Sequence, residues 1–308
     1  MLLSQGSVTG IVVQGSNGEA QHLSSDERKR VIRLTRTTLD AHGFHHVIVI
    51  AGTGAQSTRE TKQLNIDAKE AGATHALILT PSTWKAAMTK DLILRFFREV
   101  WVSFLYYRNA ILAYLVMHLS CSFVHVWSYQ VADASPIPIM VYNFPKVTAG
   151  LDLDADTILA LGAHPNIVGT KLSCGHLGKL IRLVTSFSPV AFAPFIGRSD
   201  SFLPALAVNC PGGIMTLANV APRAHRALWD AWHDGRTDDA RDIQRMLAHC
   251  DAILSKYGGI SFTKALIARE FGYGGATVRG PLVTTSLDRL SSTDGTLLDE
   301  LLAFERSL

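Results

Sequence analysis

The sequence predicts an α/β fold in which a parallel sheet closes into a barrel, and two observations support this prediction. Short apolar runs alternate with longer segments of helical periodicity along most of the 308 residues. The apolar runs lack the polar alternation of a half-exposed strand, which favours parallel strands buried on both faces. Seven such units indicate a barrel rather than an open doubly wound sheet. The candidate strands cover residues 9–14, 46–50, 76–80, 139–142, 167–171, 189–193 and 213–217.

Helical patterns occupy the segments between these strands and the end of the chain. The first covers residues 24–42, where Ser24 and Asp26 are placed to cap the first turn. After the last strand, helical patterns cover residues 223–234, 238–257 and 262–271. We therefore expect a barrel over residues 1–222 and a C-terminal helical region, residues 223–308, packed on it.

Composition and charge exclude several classes of protein. The chain is 47% hydrophobic and 18% charged, which is ample for a large buried core. A net charge of +3 with no block of like charges argues against a nucleic-acid partner. The twelve histidines and four cysteines form no cluster at metal-ligand spacing. Widely spaced cysteines favour a reduced, cytoplasmic protein, with the mitochondrion as the alternative.

Residues 101–131 differ sharply from the segments on either side. They are aromatic and apolar and contain no Asp, Glu or Lys. Joining "RFFREV" directly to "ADASPIP" restores an ordinary helix, loop and strand. The apolar core at 110–126 is short for a membrane span of about 20 residues and contains His118 and His125. We interpret the segment as translated non-coding sequence, such as a retained intron; a lid or a membrane anchor is the alternative.

Polar and glycine-rich motifs follow the strands rather than precede them. They are "GSNGE" from Gly15, "GTGA" from Gly52, "PSTW" from Pro81 and "YNFP" from Tyr142, and Lys171 ends the strand at 167–171. The carboxyl ends of parallel barrel strands share the face on which active sites assemble. We therefore expect Lys171 to point into a cavity ringed by the other loops.

Lys171 suggests nucleophilic chemistry. Partial desolvation disfavours an ammonium ion, and a neutral amine can condense with a carbonyl to form a Schiff base. Tyr142 ends the neighbouring strand and could relay protons if Ser16 holds its hydroxyl. Taken alone, a lysine at a strand end is more often a solvated charge, and a tyrosine there is more often packing. "GTGA" lacks the third glycine of a dinucleotide loop, so a nicotinamide enzyme is not indicated.

The motifs "GSNGE", "GTG", "YNFP" and "NIVGTK" together resemble the dihydrodipicolinate synthase / N-acetylneuraminate lyase family over most of residues 8–280. These proteins are class I aldolases built on a (β/α)8 TIM barrel. The resemblance implies that Lys171 forms a Schiff base with pyruvate and that Tyr142 relays protons, with Ser16 beside it. The substrate-contacting positions that it implies are Gly15, Ser16, Asn17, Ser173 and Gly197.

"GSNGE" and "GTKLS" look closest to the 4-hydroxy-2-oxoglutarate aldolase branch and its sugar-acid relatives. In dihydrodipicolinate synthases an arginine after "YNxP" grips the carboxylate of the second substrate, whereas here Val147 follows Lys146. The resemblance therefore implies cleavage of a 4-hydroxy-2-oxo acid to pyruvate and an aldehyde. It implies no cofactor beyond the Schiff base and a homo-oligomer, commonly a tetramer. The alternatives are dihydrodipicolinate synthase itself and a catalytically impaired or non-enzymatic family member.

Two further departures from the family pattern concern completeness of the site and of the barrel. In the family, a tyrosine in the loop after the fourth strand reaches a neighbouring subunit's site and completes the relay. Here "PSTW" places Thr83 at that position, and a threonine hydroxyl is shorter and far less acidic than a phenol. The family's first strand and helix would precede Met1, so we expect a barrel without them.

Overall fold

The computed structural model describes residues 8–101 and 135–308. In this part of the chain six strands form one sheet, and each strand pairs in parallel with the next along the sequence. The strands are β1 (Gly10–Val13), β2 (Ile48–Gly52), β3 (His75–Leu79), β4 (Ile139–Asn143), β5 (Ile167–Leu172) and β6 (Ala193–Ile196). The sheet is curled, with helices outside it, which confirms the α/β class; the count of eight strands stays a prediction.

Helices connect the strands and form the C-terminal region. They are α1 (Ser25–Ala41), α2 (Thr58–Glu70), α3 (Lys90–Trp101), α4 (Ala155–Gly162), α5 (Leu177–Ser186), α6 (Phe202–Leu206), α7 (Pro222–His233), α8 (Thr237–Lys256), α9 (Ile260–Phe271) and α10 (Ser292–Ser307). The predicted start of α1 is confirmed: the Ser24 hydroxyl accepts the N–H of Glu27, whose carboxylate accepts the N–H of Ser24. Asp26 lies in the same first turn.

The strands separate an outer apolar layer from a small inner one. Side chains such as Val49 and Ile78 pack outward against the helices in the large core. Their neighbours Ile50 and Leu77 point the other way and form an inner cluster with Met140 and Tyr142. This alternation is what a parallel sheet buried on both faces requires. The inner cluster lies below the ends of the strands, where the candidate site residues are found.

The last two predicted strands were misplaced. The strand expected at 189–193 is β6, which begins at Ala193, because the N–H groups of Ala191 and Phe192 both bond to the Ser188 carbonyl and close a turn there. The strand expected at 213–217 is reduced to one parallel bridge between Gly213 and Ile196. A 3-10 turn begins at Leu217 and ends the extended stretch.

The three predicted C-terminal helices are confirmed as α7, α8 and α9, with shifts of one or two residues at their ends. Helix α10 was not predicted, although its sequence "LLDELLAF" buries Leu298, Leu301 and Leu302. Its Glu305 is also buried, and the two carboxylate oxygens accept the N–H groups of Arg223 and Ala224 at 3.1 and 2.8 Å. The carboxylate thereby satisfies two amides at the start of α7.

The unusual segment at 101–131 lies outside the described residues, apart from Trp101 at the end of α3. Its interpretation as non-coding sequence therefore stays a prediction. Among the helices of the described residues, none is both long enough and apolar enough to cross a membrane.

Candidate active site

Lys171 and Tyr142 lie side by side on neighbouring strands. They are register partners in the pairing of β4 with β5. The Nζ atom of Lys171 lies 4.5 Å from the centre of the Tyr142 ring. Both side chains are buried, with 8% and 3% of their surface exposed. The two residues that the sequence singled out as nucleophile and proton relay are therefore in contact.

A register shift in β5 determines the face on which Lys171 lies. Pairing between β4 and β5 moves by one residue between Ile139 and Met140. Beyond this shift Lys171 stands in one row with Tyr142 and Phe195, and both aromatic rings belong to the inner cluster. A shift of one residue exchanges the two faces of a strand. The irregularity thus places the amine on the interior side of the sheet.

The Tyr142 hydroxyl has a serine hydroxyl on either side. The Oγ atom of Ser16, in the loop after β1, lies 3.4 Å from it. The Oγ atom of Ser173, just beyond β5, lies at the same distance of 3.4 Å. The Ser173 amide also donates to the Asn143 carbonyl, which continues the pairing of the two strands. The phenol oxygen is therefore within reach of two groups that can each donate or accept a proton.

Gly197 provides the space that Ser173 occupies. A Cβ atom at position 197 would lie 2.1 Å from the Ser173 Oγ and 2.9 Å from the Leu172 carbonyl oxygen. The Gly197 amide donates to that same carbonyl at 2.7 Å. This close approach explains why the residue after β6 is a glycine. Its direct contact with substrate stays a prediction.

The loop after β1 holds Gly15 and Asn17 in different environments. The Gly15 carbonyl accepts the N–H groups of Gly18 and Ala20 and closes the turn. Gly15 also lines the cavity described below. The Asn17 side chain donates to the Thr216 hydroxyl, beyond the bridge that follows β6. Asn17 therefore connects the loop to the other end of the sheet, and among the described residues its side chain bonds to Thr216 rather than to Tyr142.

Thr83 is hydrogen-bonded to Gln56, in the neighbouring loop. Its N–H and hydroxyl both donate to the Gln56 side-chain oxygen, at 3.0 and 2.9 Å, and the Ser82 N–H makes a third bond to the same atom. Thr83 is exposed and does not line the cavity, whereas Ser82 does. Its assignment to the proton relay therefore stays a prediction.

A cavity of about 320 Å³ opens beside Tyr142. It lies at the carboxyl ends of the first strands, and Ile260 and Leu282 of the C-terminal region also line it. Lys171 is not among the lining residues, but Tyr142, which it contacts, is. Val147 forms part of the wall.

Gln14 and Glu19 also line this cavity, although the sequence predicted no role for either side chain. The Glu19 carboxylate accepts the Lys264 ammonium at 2.7 Å and the Arg279 N–H at 2.8 Å. Burial alone raises the pKa of Glu19, but these bonds lower it more, so its pKa lies below the usual value. The signal for Gln14 was a polar residue ending the apolar run "GIVVQ".

Asn143 was quoted only as part of "YNFP", yet it fastens the end of β4. Its Nδ2 donates to the Asp152 carboxylate at 2.7 Å, and its Oδ1 accepts the Leu153 N–H at 3.0 Å. Asp152 in turn pairs with the buried Lys179. These bonds hold the strand end next to Tyr142.

In the described residues no group of three or more His, Cys, Asp or Glu side chains is arranged to hold a metal ion.

Comparisons with known proteins agree with this arrangement. The model of the dihydrodipicolinate synthetase family matches residues 1–103 and 118–298. The "probable 4-hydroxy-2-oxoglutarate aldolase, mitochondrial" of Emericella nidulans is 39% identical over 94% of this chain and 83% of its own length. The L-threo-3-deoxy-hexylosonate aldolase of Aspergillus niger is 34% identical, covering 99% of this chain and 88% of its own. The crystal structure of a dihydrodipicolinate synthase family protein from Coccidioides immitis superposes with a TM-score of 0.74 at 28% identity, covering 100% of this chain and 88% of that one.

Proposed function

The chain belongs to the dihydrodipicolinate synthetase family, and on that premise we propose that it is a Schiff-base aldolase that cleaves a 4-hydroxy-2-oxo acid to pyruvate and an aldehyde. One observation supports the proposal above all: the Lys171 amine lies 4.5 Å from the centre of the Tyr142 ring, on the inner face of the curled sheet. A buried amine beside a phenol is the pair that Schiff-base chemistry needs. The fungal relatives that bear aldolase names support the same reaction class.

In the proposed reaction the neutral Lys171 Nζ adds to the C2 carbonyl of the substrate. The C2 oxygen then leaves as water with the proton of the Tyr142 hydroxyl, which gives an iminium ion and a deprotonated Tyr142 oxygen. The deprotonated Tyr142 oxygen takes the proton of the C4 hydroxyl. The C3–C4 bond breaks, its electron pair moves into the iminium to form an enamine, and the aldehyde leaves. Tyr142 gives the proton to C3, which restores an iminium ion. Water hydrolyses this ion to pyruvate and the free amine, and the proton released returns to Tyr142.

The residues around Lys171 and Tyr142 position the substrate and the phenol in this reaction. Ser16 and Ser173, each 3.4 Å from the Tyr142 hydroxyl, hold the phenol and pass its proton on. The loop that contains Gly15 and Asn17 receives the carboxylate of the pyruvyl half through its N–H groups. Gly197 leaves room for Ser173 beside the substrate. Thr83 stands where the family has a tyrosine that completes the relay, and its hydroxyl is a weaker acid than a phenol.

Dihydrodipicolinate synthase is the second candidate, and the cavity wall argues against it. That reaction needs a cation for the carboxylate of the second substrate. Val147, the residue at the relevant place, lines the cavity with 43% of its surface exposed. Its apolar side chain cannot make such a pair. A non-catalytic role is disfavoured because Lys171 and Tyr142 are both present and in contact.

The remaining parts of the proposal concern the molecule around the site. We take the six strands as part of an eight-stranded barrel. Residues 1–222 would form that barrel and residues 223–308 the helical region on it. We propose that the protein forms a homo-oligomer. We propose that it acts in the cytoplasm or, alternatively, in the mitochondrion. It acts on a small 2-oxo acid without a cofactor and has no nucleic-acid or membrane partner.

Borohydride trapping tests the proposal directly. The chain is incubated with pyruvate, reduced with sodium borohydride, digested and examined by mass spectrometry. One reductively linked pyruvate is expected on Lys171. Lys171→Met should abolish the adduct, whereas Lys146→Met, at an exposed lysine just after "YNFP", should leave it unchanged. An active preparation that shows no adduct on Lys171 would rule out the mechanism.

A further inference from the structure

The loop after β6 has the sequence "GRSDS" and contacts the serine beside Tyr142. A Cβ atom at Gly197 would lie 2.1 Å from the Ser173 Oγ, so the backbone of the loop packs against that hydroxyl. The Ser173 Oγ in turn lies 3.4 Å from the Tyr142 hydroxyl. A movement of the loop after β6 would therefore change the rotamers that are open to the Ser173 hydroxyl.

Helix α8 contacts this loop through two polar side chains. The Gln244 side chain accepts the Leu203 N–H at 2.6 Å and donates to the Ser199 carbonyl at 2.9 Å. Further along α8, the buried carboxylate of Asp251 faces the backbone amides of Ser199 and Asp200, which favour its charged form. The position of the loop therefore depends on α8, and Asp251 is the ionisable member of the pair.

Arg198 links the loop after β6 to Asp251 and to the loop after β5. Its Nε lies 3.0 Å from both carboxylate oxygens of Asp200, and its Nη2 lies 3.7 Å from the Asp251 carboxylate. A Cβ atom at Gly175, two residues beyond Ser173, would lie 3.7 Å from its Cδ. In this cluster one cation is shared between two carboxylates.

The charge of the cluster changes when Asp251 takes up a proton. Burial and then the charge of Asp200 raise the pKa of Asp251 to about 6, while Arg198 acts against them. Asp251 is therefore ionised at neutral pH and largely protonated at pH 5.

The titratable groups on the elements around Asp251 keep one charge state near pH 6. His225 of α7 bonds to the Ser199 hydroxyl, and burial lowers the pKa of His225 to about 4. Burial raises the pKa of Cys250, the neighbour of Asp251 on α8, to about 12. The carboxylates of α10 that bond to α8 are each paired with a cation, Asp294 with Lys256 and Glu300 with Arg245. Among these groups Asp251 is the one that titrates between pH 5 and 7.

We propose that Asp251 is a positioning residue for the aldolase reaction: its ionised carboxylate, acting from α8, holds the loop after β6 where Gly197 confines the Ser173 hydroxyl beside Tyr142. The inference rests on the proposed function and adds to it a residue that does not line the cavity. When Asp251 takes up a proton, it loses the charge that Arg198 and the two loop amides bind. The loop then loosens, and proton transfer through Tyr142 slows.

The pH dependence of kcat in Asp251→Asn tests this inference. Pyruvate release from a saturating 4-hydroxy-2-oxo acid is measured with the full chain between pH 5 and 7.5. Asparagine keeps the size of aspartate without its charge, so kcat at pH 7.5 should fall about three- to tenfold, with KM changed less than about twofold. The ratio of the parent kcat to the variant kcat should decline towards one at pH 5, with a midpoint near pH 6. Asp242→Asn, at an exposed aspartate of the same helix, should give a ratio of about one throughout.

Two variants of the neighbouring charges should move the acid midpoint of kcat in opposite directions. Arg198→Gln removes the cation that favours ionised Asp251, so the midpoint should rise by about half a pH unit or more. Asp200→Asn removes the competing carboxylate, so the midpoint should fall by a similar amount. A purely structural role for Asp251 would lower kcat equally at every pH and would produce neither shift.

A ratio for Asp251→Asn that stays constant from pH 5 to 7.5 overturns the inference. If Asp251→Asn does not fold, the midpoints of the parent, Arg198→Gln and Asp200→Asn decide. Opposite shifts in the stated order support the inference, and any other order overturns it.

Pyruvate trapping on Lys171 separates this inference from the proposed function. The adduct is expected in the parent and, after prolonged incubation with pyruvate, in Asp251→Asn. If the parent forms no adduct, the proposed function itself fails. An adduct in the parent together with a constant ratio overturns only the present inference. Loss of the adduct in a folded Asp251→Asn variant also overturns it, because the damage would then extend beyond the loop after β6.

Discussion

Tyr142 is the side chain through which the other candidate residues are connected. Its ring contacts the Lys171 amine, and its hydroxyl lies 3.4 Å from both Ser16 and Ser173. The ring also packs in the inner cluster and stacks on Phe144 at 5.7 Å between ring centres. Packing and chemistry therefore depend on different atoms of one residue, the ring and the oxygen.

This separation allows a prediction for Tyr142→Phe. The variant keeps the ring, so the fold and the pyruvate adduct on Lys171 should be retained. It removes the group that accepts the C4 proton, so kcat for cleavage should fall about 10²- to 10⁴-fold. Pyruvate release and trapping are measured together, with Tyr273→Phe, at a half-exposed tyrosine that does not line the cavity, as the control. Unchanged cleavage in Tyr142→Phe would remove the phenol from the mechanism.

The sequence identified side chains that are unusual at the end of an apolar strand, and it missed side chains of ordinary type. A lysine and a tyrosine ending apolar strands are conspicuous, and Lys171 and Tyr142 are in contact as expected. Gln14 was overlooked because one glutamine after an apolar run has no distinctive chemistry. That its Oε1 oxygen is buried without a hydrogen-bond partner can be seen only when the surrounding atoms are placed.

At the scale of elements, local signals were predictable and register was not. The capping box of α1 lies within four residues, and sequence spacing alone indicates it. A turn closed on the Ser188 carbonyl precedes β6, so the strand begins only at Ala193. This turn has no comparable sequence signature. The shift between Ile139 and Met140 that turns Lys171 inward likewise depends on pairing with another strand.

Helix α7 contains a buried histidine, His225. Its protonation should account for part of the fall in the free energy of unfolding at acid pH. His225 Nδ1 bonds to the Ala221 carbonyl and its Nε2 to the Ser199 hydroxyl, and burial lowers its pKa to about 4 from 6.5. The unfolded chain therefore takes up this proton first as the pH falls. The stability associated with neutral His225 is complete above pH 6.5 and is lost progressively towards pH 4, by about 3 kcal/mol in total.

Denaturant unfolding between pH 4 and 7.5 measures this loss. His225→Gln should be less stable at neutral pH and show a flatter decline in the free energy of unfolding as the pH falls. The nearby Asp251, whose pKa burial raises to about 6, acts in the opposite direction, so the difference between parent and variant is the informative quantity. His249→Gln, at an exposed position of α8, serves as the control. Parallel curves for the parent and His225→Gln would contradict the prediction.

At the scale of the whole molecule, contacts between distant parts of the chain complete the cavity. Glu19, in the loop after β1, binds Lys264 of α9 and the amide of Arg279. The Arg279 guanidinium pairs with Glu27 on α1 at 2.6 and 3.0 Å and donates to the His22 carbonyl. Periodicity predicted the helices on both sides but not these contacts, because nothing local links residues 245 or more positions apart.

Arg279→Ala tests whether this connection shapes the cavity. The pair with Glu27 is exposed, so its loss should change the melting temperature little. Leu282, three residues further on, lines the cavity, and its wall should loosen. We expect KM for cleavage to rise about two- to fivefold with kcat nearly unchanged, and limited proteolysis at residues 272–290 to accelerate. Arg241→Ala, which removes an ion pair within α8, should do neither. Unaltered KM and proteolysis in Arg279→Ala would show that the C-terminal region holds its place without this arginine.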